Sequence, residues 1–187
     1  SYSKQYGFDW RLTAAQGWQE SRFKDDAVSP VGAAGVMQIM PFNWKWLKLN
    51  DPYDAKQSIK AGIYYDFVLH NQFKARGDAD PDALKKMLAG YNAGPGRVYD
   101  AEHVVLVGAG LVPAQDWATI KVGETPPGWD QVAEAMPSLS GKMGEDFHVE
   151  MWGQPKPRYG YFEGSAETVP YVTLIWQRYN YYKSIYL

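Results

Sequence analysis

The chain of 187 residues is long enough for one globular domain with a sizeable core, and its 45% hydrophobic and 21% charged content suits a soluble fold. A net charge of −2 gives no global reason to expect nucleic acid or an anionic membrane surface as a partner. The absence of cysteine excludes disulfides and thiolate chemistry but leaves the compartment open, because a domain of this size needs no covalent staple. Aromatics are abundant, with 8 Trp and 14 Tyr. They are expected either to build a core from large side chains or to line a groove that stacks on an extended ligand such as a sugar chain.

The start, Ser1-Tyr2-Ser3-Lys4, has neither a charged, apolar leader nor an initiator Met, as expected of a mature or excised fragment. Asp9 is placed to cap a helix carrying Leu12, Ala15 and Trp18 on one face and ending near Glu20. Small residues from Ser29 to Gly35 predict a loop leading into an amphipathic segment. Asp51-Pro52 opens the longest helical pattern, with Ala55, Ile59, Ile63 and Phe67 at four-residue spacing. Asp80-Pro81 opens another, in which Leu84, Met87, Leu88 and Tyr91 share a face before Gly94-Pro95-Gly96 stops it. The longest apolar run, Val104 to Val112, is too short to span a bilayer, so no membrane span is expected in this fragment and any anchor must lie outside it.

From Pro113 to Gly164 the pattern weakens. Pro126-Pro127-Gly128 breaks it, a short helix with Trp129, Val132 and Met136 follows, and Phe147, Val149 and Met151 alternate as in a strand. The region is expected to be an irregular insertion containing a small hairpin. At the end, Val172, Ile175, Trp176, Tyr179, Tyr182 and Tyr186 form a helical stripe, with Pro170 expected in that helix's first turn. The class is mostly α, as a single domain over residues 1–187.

Several chemistries lack their residues. Gly108-Ala109-Gly110 does not lead into a helix start, so no nucleotide loop is expected. His70, His103 and His148 are far apart without metal-like spacing, and no Gly-x-Ser-x-Gly elbow is present. No metal and no cofactor are expected. What remains is a series of four segments: Glu20-Ser21; Gly35-Val36-Met37-Gln38-Ile39-Met40-Pro41; Tyr91-Asn92-Ala93-Gly94; and Glu167-Thr168-Val169-Pro170-Tyr171-Val172. Each alone has an ordinary explanation: a solvated charge, a loop, a helix stop, an acid at a helix N-terminus.

In this order the four segments resemble the lytic transglycosylases with a lysozyme-like fold, the glycoside hydrolase family 23 group. Asp9-Trp10-Arg11-Leu12, Gln19-Glu20-Ser21 and the late Tyr159-Gly160-Tyr161 look most like the F-type membrane-bound branch of that family. The likeness runs from Asp9 to Val172 and is thin over about 104–164. It implies a lysozyme-like, mostly α fold with Glu20 as the catalytic acid and base. It further implies that Ser29, Gln38 and Met40 line a glycan cleft near the scissile bond. Tyr91 and Asn92 would hold the reacting sugar, and Glu167 and Tyr171 would complete the far wall. Gly90 in place of Ala, Val36 in place of Leu, and Pro170 before Tyr171 depart from the family pattern.

The resemblance also implies the reaction. Glycosidic cleavage ordinarily uses two carboxyl groups. Here one would suffice, because the muramic acid's own O6 attacks its C1 and closes a 1,6-anhydro ring. Glu20 would have to be protonated near neutral pH, and burial among apolar groups such as Met37, Ile39, Met40 and Tyr171 is expected to raise it, as it raises a lysozyme glutamate to about 6. The implied partner is the peptidoglycan glycan strand. The implied location is the periplasmic cell envelope, with a monomeric domain forming part of a larger chain. Competing expectations are a goose-type lysozyme-like hydrolase and a non-catalytic wall-binding or structural module.

Overall fold

The computed structural model describes residues 2–117 and 125–187. Helices in chain order are α1 (Tyr2–Gln5), α2 (Trp10–Ser21), α3 (Pro41–Trp44), α4 (Ala55–Ala75), α5 (Asp82–Ala93), α6 (Pro95–Gly108), α7 (Trp129–Ala135), α8 (Glu145–Trp152) and α9 (Ser165–Ile185), with short 3-10 turns at Met136–Leu139 and Gly141–Met143. The mostly α expectation holds. Among the described residues, β structure amounts to isolated antiparallel bridges, Val28 with Ala34 and Ala34 with Ile39. No helix among them is long and apolar enough to cross a membrane.

The chain forms two compact units, one of Ser1–Val68 with Thr173–Leu187 and one of Leu69–Val172. In the first, Asp9 caps α2 as expected, its carboxylate accepting from the Arg11 amide at 3.0 Å. The Arg11 guanidinium also grips Asp9, through Nε at 2.9 Å and Nη2 at 2.8 Å, and the Tyr179 hydroxyl donates to it at 3.1 Å. These bonds, that of Arg11 foremost, hold the Asp9 carboxyl below its ordinary range. Arg11 reaches further, to the Tyr186 carbonyl at 2.7 Å, so one ion pair fastens the C-terminal segment to the start of α2. Val36, Met37, Ile39, Leu47, Leu49 and Ala61 form the core of this unit, flanked by Trp44, Ala55, Ile59 and Tyr65.

Two boundaries differ from the sequence reading. Helix α4 starts at Ala55, three residues after Pro52, because Asp54 caps it by accepting from the Gln57 amide at 2.7 Å, whereas Asp51 closes a local turn onto the Tyr53 amide at 2.9 Å. Helix α9 starts at Ser165, which leaves Pro170 in its second turn rather than its first. The Thr168 amide bonds to the Gly164 carbonyl at 3.0 Å, closing a full turn ahead of the proline.

In the second unit α5 and α6 meet at Gly94, whose φ of 85° breaks the chain direction before Pro95 restarts it. The expected short helix is present as α7, with Trp129, Val132 and Met136 all buried. The expected strand is not. Phe147, Val149 and Met151 lie on α8, framed by Gly144 and Gly153 at φ of 86° and 66°. Glu145 and Asp146 favour its first turn, and the buried pair is His148 with Trp152, four residues apart, while Val149 is 44% exposed. An accidental two-residue alternation had masked a helical face. His103 and His148 both pack on Trp152, at 5.8 and 5.4 Å between rings, and donate to the carbonyls of Met151 and Ser140. They therefore serve as core residues. Trp129 and Trp152 are the tryptophans of the buried core, whereas Trp10 and Trp46 are 45% and 43% exposed.

Candidate active site

Glu20 stands in the last turn of α2 and is partly buried. The helix ends abruptly after it. Arg22 and Phe23 both take left-handed backbone, φ of 58° and 61°, a conformation uncommon outside glycine. Trp18 holds that turn in place: Phe23 meets it edge-on at 5.8 Å, and the Arg22 and Arg178 guanidinium groups each lie 5.0 Å from its ring. One residue after Glu20, the Ser21 hydroxyl donates to the Val36 carbonyl at 2.8 Å. The Glu-Ser pair is thereby tied to the second motif.

That second motif is a closed turn. Ala34 and Ile39 exchange backbone hydrogen bonds at 3.2 and 3.1 Å, and the Gln38 amide bonds to the Gly35 carbonyl at 3.1 Å. Gln38 has a φ of 48°, and its side-chain Nε2 donates to the carbonyls of Ala27 and Gly35 at 3.0 and 2.9 Å. Ser29 accepts from the Ala33 amide at 3.0 Å, and Met40 is partly buried ahead of α3. The polar groups of Ser29 and Gln38 thus shape the loop itself, which the motif reading did not foresee. Gly35 is irreplaceable here. Its φ is 77°, and a Cβ would lie 1.9 Å from the Pro52 carbonyl oxygen. Gly35→Ala is expected to cost about 3 kcal/mol or more, since it combines left-handed strain with a backbone clash. Thermal melts test this, and a variant melting within about 2 °C of the parent would show that the turn adapts.

Beneath Glu20 lies a pair that the sequence reading missed. Gln16, one turn earlier on α2, donates from Nε2 to Asp66 Oδ1 at 3.1 Å; Gln16 is fully buried and Asp66 only 2% exposed. Burial pushes the Asp66 carboxyl well above its ordinary range; the Gln16 bond works against this, and the charge of Glu20 adds to it. The signal was present in α4 as the row Ser58, Gly62, Asp66, small or polar residues at four-residue spacing. All three are buried, beside the apolar stripe that was read.

The other two motifs meet within the second unit. Asn92, in the last turn of α5, accepts from the Thr168 hydroxyl at 2.6 Å, which joins Tyr-Asn-Ala-Gly to Glu-Thr-x-x-Tyr-Val. The helix cap is Gly94, bonded back to the Gly90 carbonyl at 2.9 Å, so Asn92 is not spent on capping. Tyr91 is partly buried, Glu167 exposed and Tyr171 buried. Gly90 is no steric necessity, because an added Cβ would make only ordinary contacts of 3.5 Å. The Tyr159-Gly160 segment folds onto α6. Arg97 donates to the carbonyls of both residues, the Tyr159 amide bonds to Asp100 at 2.9 Å, and the Tyr159 ring covers Gly96. Burial raises the Asp100 carboxyl to about 6.

The family described as Transglycosylase SLT domain matches residues 1–105. The chain is 32% identical over 179 residues to membrane-bound lytic murein transglycosylase F of Marinobacter nauticus, covering 96% of this chain and 31% of the relative. It is 33% identical over 170 residues to the protein of the same name from Maricaulis maris, covering 90% and 31%. The chain thus spans about a third of the length of these relatives. In fold it is similar to an inactive mutant of lytic transglycosylase Slt from Pseudomonas aeruginosa, with a TM-score of 0.61 and 22% identity over 98% of this chain and 23% of that one. The 70 kDa soluble lytic transglycosylase of Escherichia coli gives 0.56 and 22% over 97% and 23%. With more than half of its residues matched by one family and its fold shared with such enzymes, the chain belongs to the transglycosylase SLT domain family.

Proposed function

We propose that residues 1–187 are the catalytic domain of a peptidoglycan lytic transglycosylase that cleaves the β-1,4 bond between N-acetylmuramic acid and N-acetylglucosamine without consuming water. The observation that carries this reading is the setting of Glu20, a partly buried carboxyl at an abruptly ended helix, in the place where the family resemblance puts its acid and base. Glu20 in its protonated form donates to the leaving O4 as the C1–O4 bond breaks. The muramic acid O6 then bonds to C1 and gives its proton to the Glu20 carboxylate, so the enzyme ends as it began. Attack within one sugar gains from proximity if the ring is held in a reactive shape. Tyr91 and Asn92 are the proposed holders, with Asn92 oriented by Thr168. Ser29, Gln38, Met40, Glu167 and Tyr171 are the further proposed substrate contacts.

A hydrolase on the same scaffold would need a second carboxylate to activate water. Asp66 is a carboxyl on which the Glu20 charge acts, but it is nearly closed to solvent and bonded to Gln16, which suits it poorly to that task. The proposed setting is the cell envelope, on the periplasmic side, with a monomeric domain that reaches the outer membrane through a region outside these residues. Digestion of purified wall in water labelled with heavy oxygen tests the reaction. Unlabelled anhydromuramoyl ends, one water lighter than hydrolytic ends, are expected to dominate. Predominantly labelled reducing ends would replace this reading with the hydrolase.

A further inference from the structure

We propose that Asp66 is a positioning residue for Glu20, a second carboxyl that is tied to α2 by Gln16 and acts on the proton transfers through Glu20. The inference rests on the reading of Glu20 as acid and base. Residues 16 and 20 lie one turn apart on α2 and so share a face. Gln16 carries the contact inward to Asp66 on α4 at 3.1 Å. The other half of the Gln16 amide is informative: its Oε1 is buried and has no hydrogen-bond partner among the described residues. A carboxylate at position 66 offers that oxygen nothing, whereas a carboxylic acid has an O–H to donate. An amide facing a neutral acid can be satisfied on both sides; facing a carboxylate it leaves its oxygen bare, at the cost of a buried unmet acceptor.

The electrostatics agree with this geometry. Burial favours the neutral form of Asp66, and the nearby Glu20 charge favours it further. Among the described residues, Glu20 is the charged group that acts on Asp66, and the Tyr65 hydroxyl, next along α4, is itself pushed up by burial and by Asp66. The cations at this end of α2, Arg22 and Arg178, are stacked on Trp18. Coupling between two acids is reciprocal, so an ionised Asp66 favours the proton on Glu20. Between the two dissociations the pair carries one proton, shared in a ratio that pH does not alter. A fraction of Glu20 therefore stays protonated to higher pH than a lone glutamate would allow, and a transglycosylase needs that protonated form.

The arrangement has a stability cost with a definite sign. The folded state raises the Asp66 carboxyl above its unfolded value, so the folded form binds the proton more tightly. Stability is full below the unfolded pKa of about 3.9 and is lost as pH rises toward the folded value. An asparagine, which resembles the neutral acid, escapes that loss. A side chain that weakens the fold at working pH, beside the proposed acid, is better explained by the chemistry than by packing.

The experiment compares pH profiles of kcat/KM on soluble glycan strands for the parent and Asp66→Asn, and follows the Asp66 carboxyl by NMR titration in the parent and in Glu20→Gln. In Asp66→Asn the alkaline limb is expected about half a pH unit or more lower, a relative loss of about threefold on that limb, with a melting temperature at neutral pH equal to or above the parent's. In Glu20→Gln, Asp66 is expected to titrate at lower pH. Superimposable limbs overturn the proposal, whether or not the two acids titrate together. A shifted limb with an Asp66 titration indifferent to Glu20→Gln overturns it as well, since the effect would then be structural. Full turnover by Glu20→Gln removes the reading of Glu20, an outcome the titration does not share, so the two failures are told apart. If Asp66→Asn does not fold, the titration in Glu20→Gln still decides whether the carboxyls are coupled.

Discussion

Glu20→Gln is expected to fold like the parent and to lose turnover by at least about 10²–10⁴-fold, the usual range for a general acid or base, with the upper end favoured because the proposed mechanism places both proton transfers on one group. The amide keeps the shape of the neutral carboxyl but has no acidic proton to deliver to O4 and no basicity to receive one from O6. Folding is expected to survive because Glu20 is only partly buried and the end of α2 is secured by other bonds, those of Arg22 to the Trp18 carbonyl and of Ser21 to Val36. Removing the charge beside Asp66 relieves a repulsion rather than creating one, so the melting temperature is not expected to fall. Release of anhydromuropeptides from purified wall, read alongside thermal melts, is the measurement. A variant that keeps more than about a tenth of the parent rate would show that another group carries the protons.

The sequence was most legible where local chemistry and helical period agree. Asp9 as a cap, Gly94 as a stop and the buried triad of Trp129, Val132 and Met136 all lie where their residue types place them. It misled where a period was read over too few residues. Phe147, Val149 and Met151 alternate, yet the glycines on both sides and the acids at the start define a helix whose inward face is His148 and Trp152. Pro170 misled for another reason. A proline commonly marks a helix start, but here Gly164 accepts the first bonds and the helix is already under way.

The candidate site divides in the same manner. Its motifs could be read in order because their residue types are unusual together, and folding joins Ser21 to Val36 and Asn92 to Thr168 by direct hydrogen bonds. The pairing of Gln16 with Asp66 was out of reach because it links positions 50 residues apart and lies on faces where an apolar search passes over polar residues. Ser29 and Gln38 were read by their motif, but their bonds into the loop come from a left-handed Gln38 backbone that residue type alone does not announce.

The largest effect on stability is expected at Lys86, in the second unit. Its ammonium is completely buried and lies 2.5 Å from Asp78 and 2.7 Å from Glu102, while Arg76 also pairs with Glu102. Burial holds the Asp78 carboxyl above its ordinary range even though Lys86 bonds to it, so desolvation outweighs the attraction at that group. Such a cluster contributes little net stability compared with apolar packing, but removing one member strands the others. Lys86→Ala removes the ammonium that bonds both buried carboxylates, leaves the Arg76 pair with Glu102, and opens a cavity between α5 and α6, for an expected cost of about 3–5 kcal/mol. In a domain of this size that is a fall of about 10 °C in melting temperature. The sign with pH follows from the charges. With the ammonium gone, Asp78 can be buried only by taking up a proton, so the variant's deficit should be largest near neutral pH and should shrink on acidification. Paired melts of parent and variant at several pH values are decisive. A deficit under about 1 kcal/mol, or one that grows as pH falls, would show that the buried lysine is not what keeps these carboxylates in place.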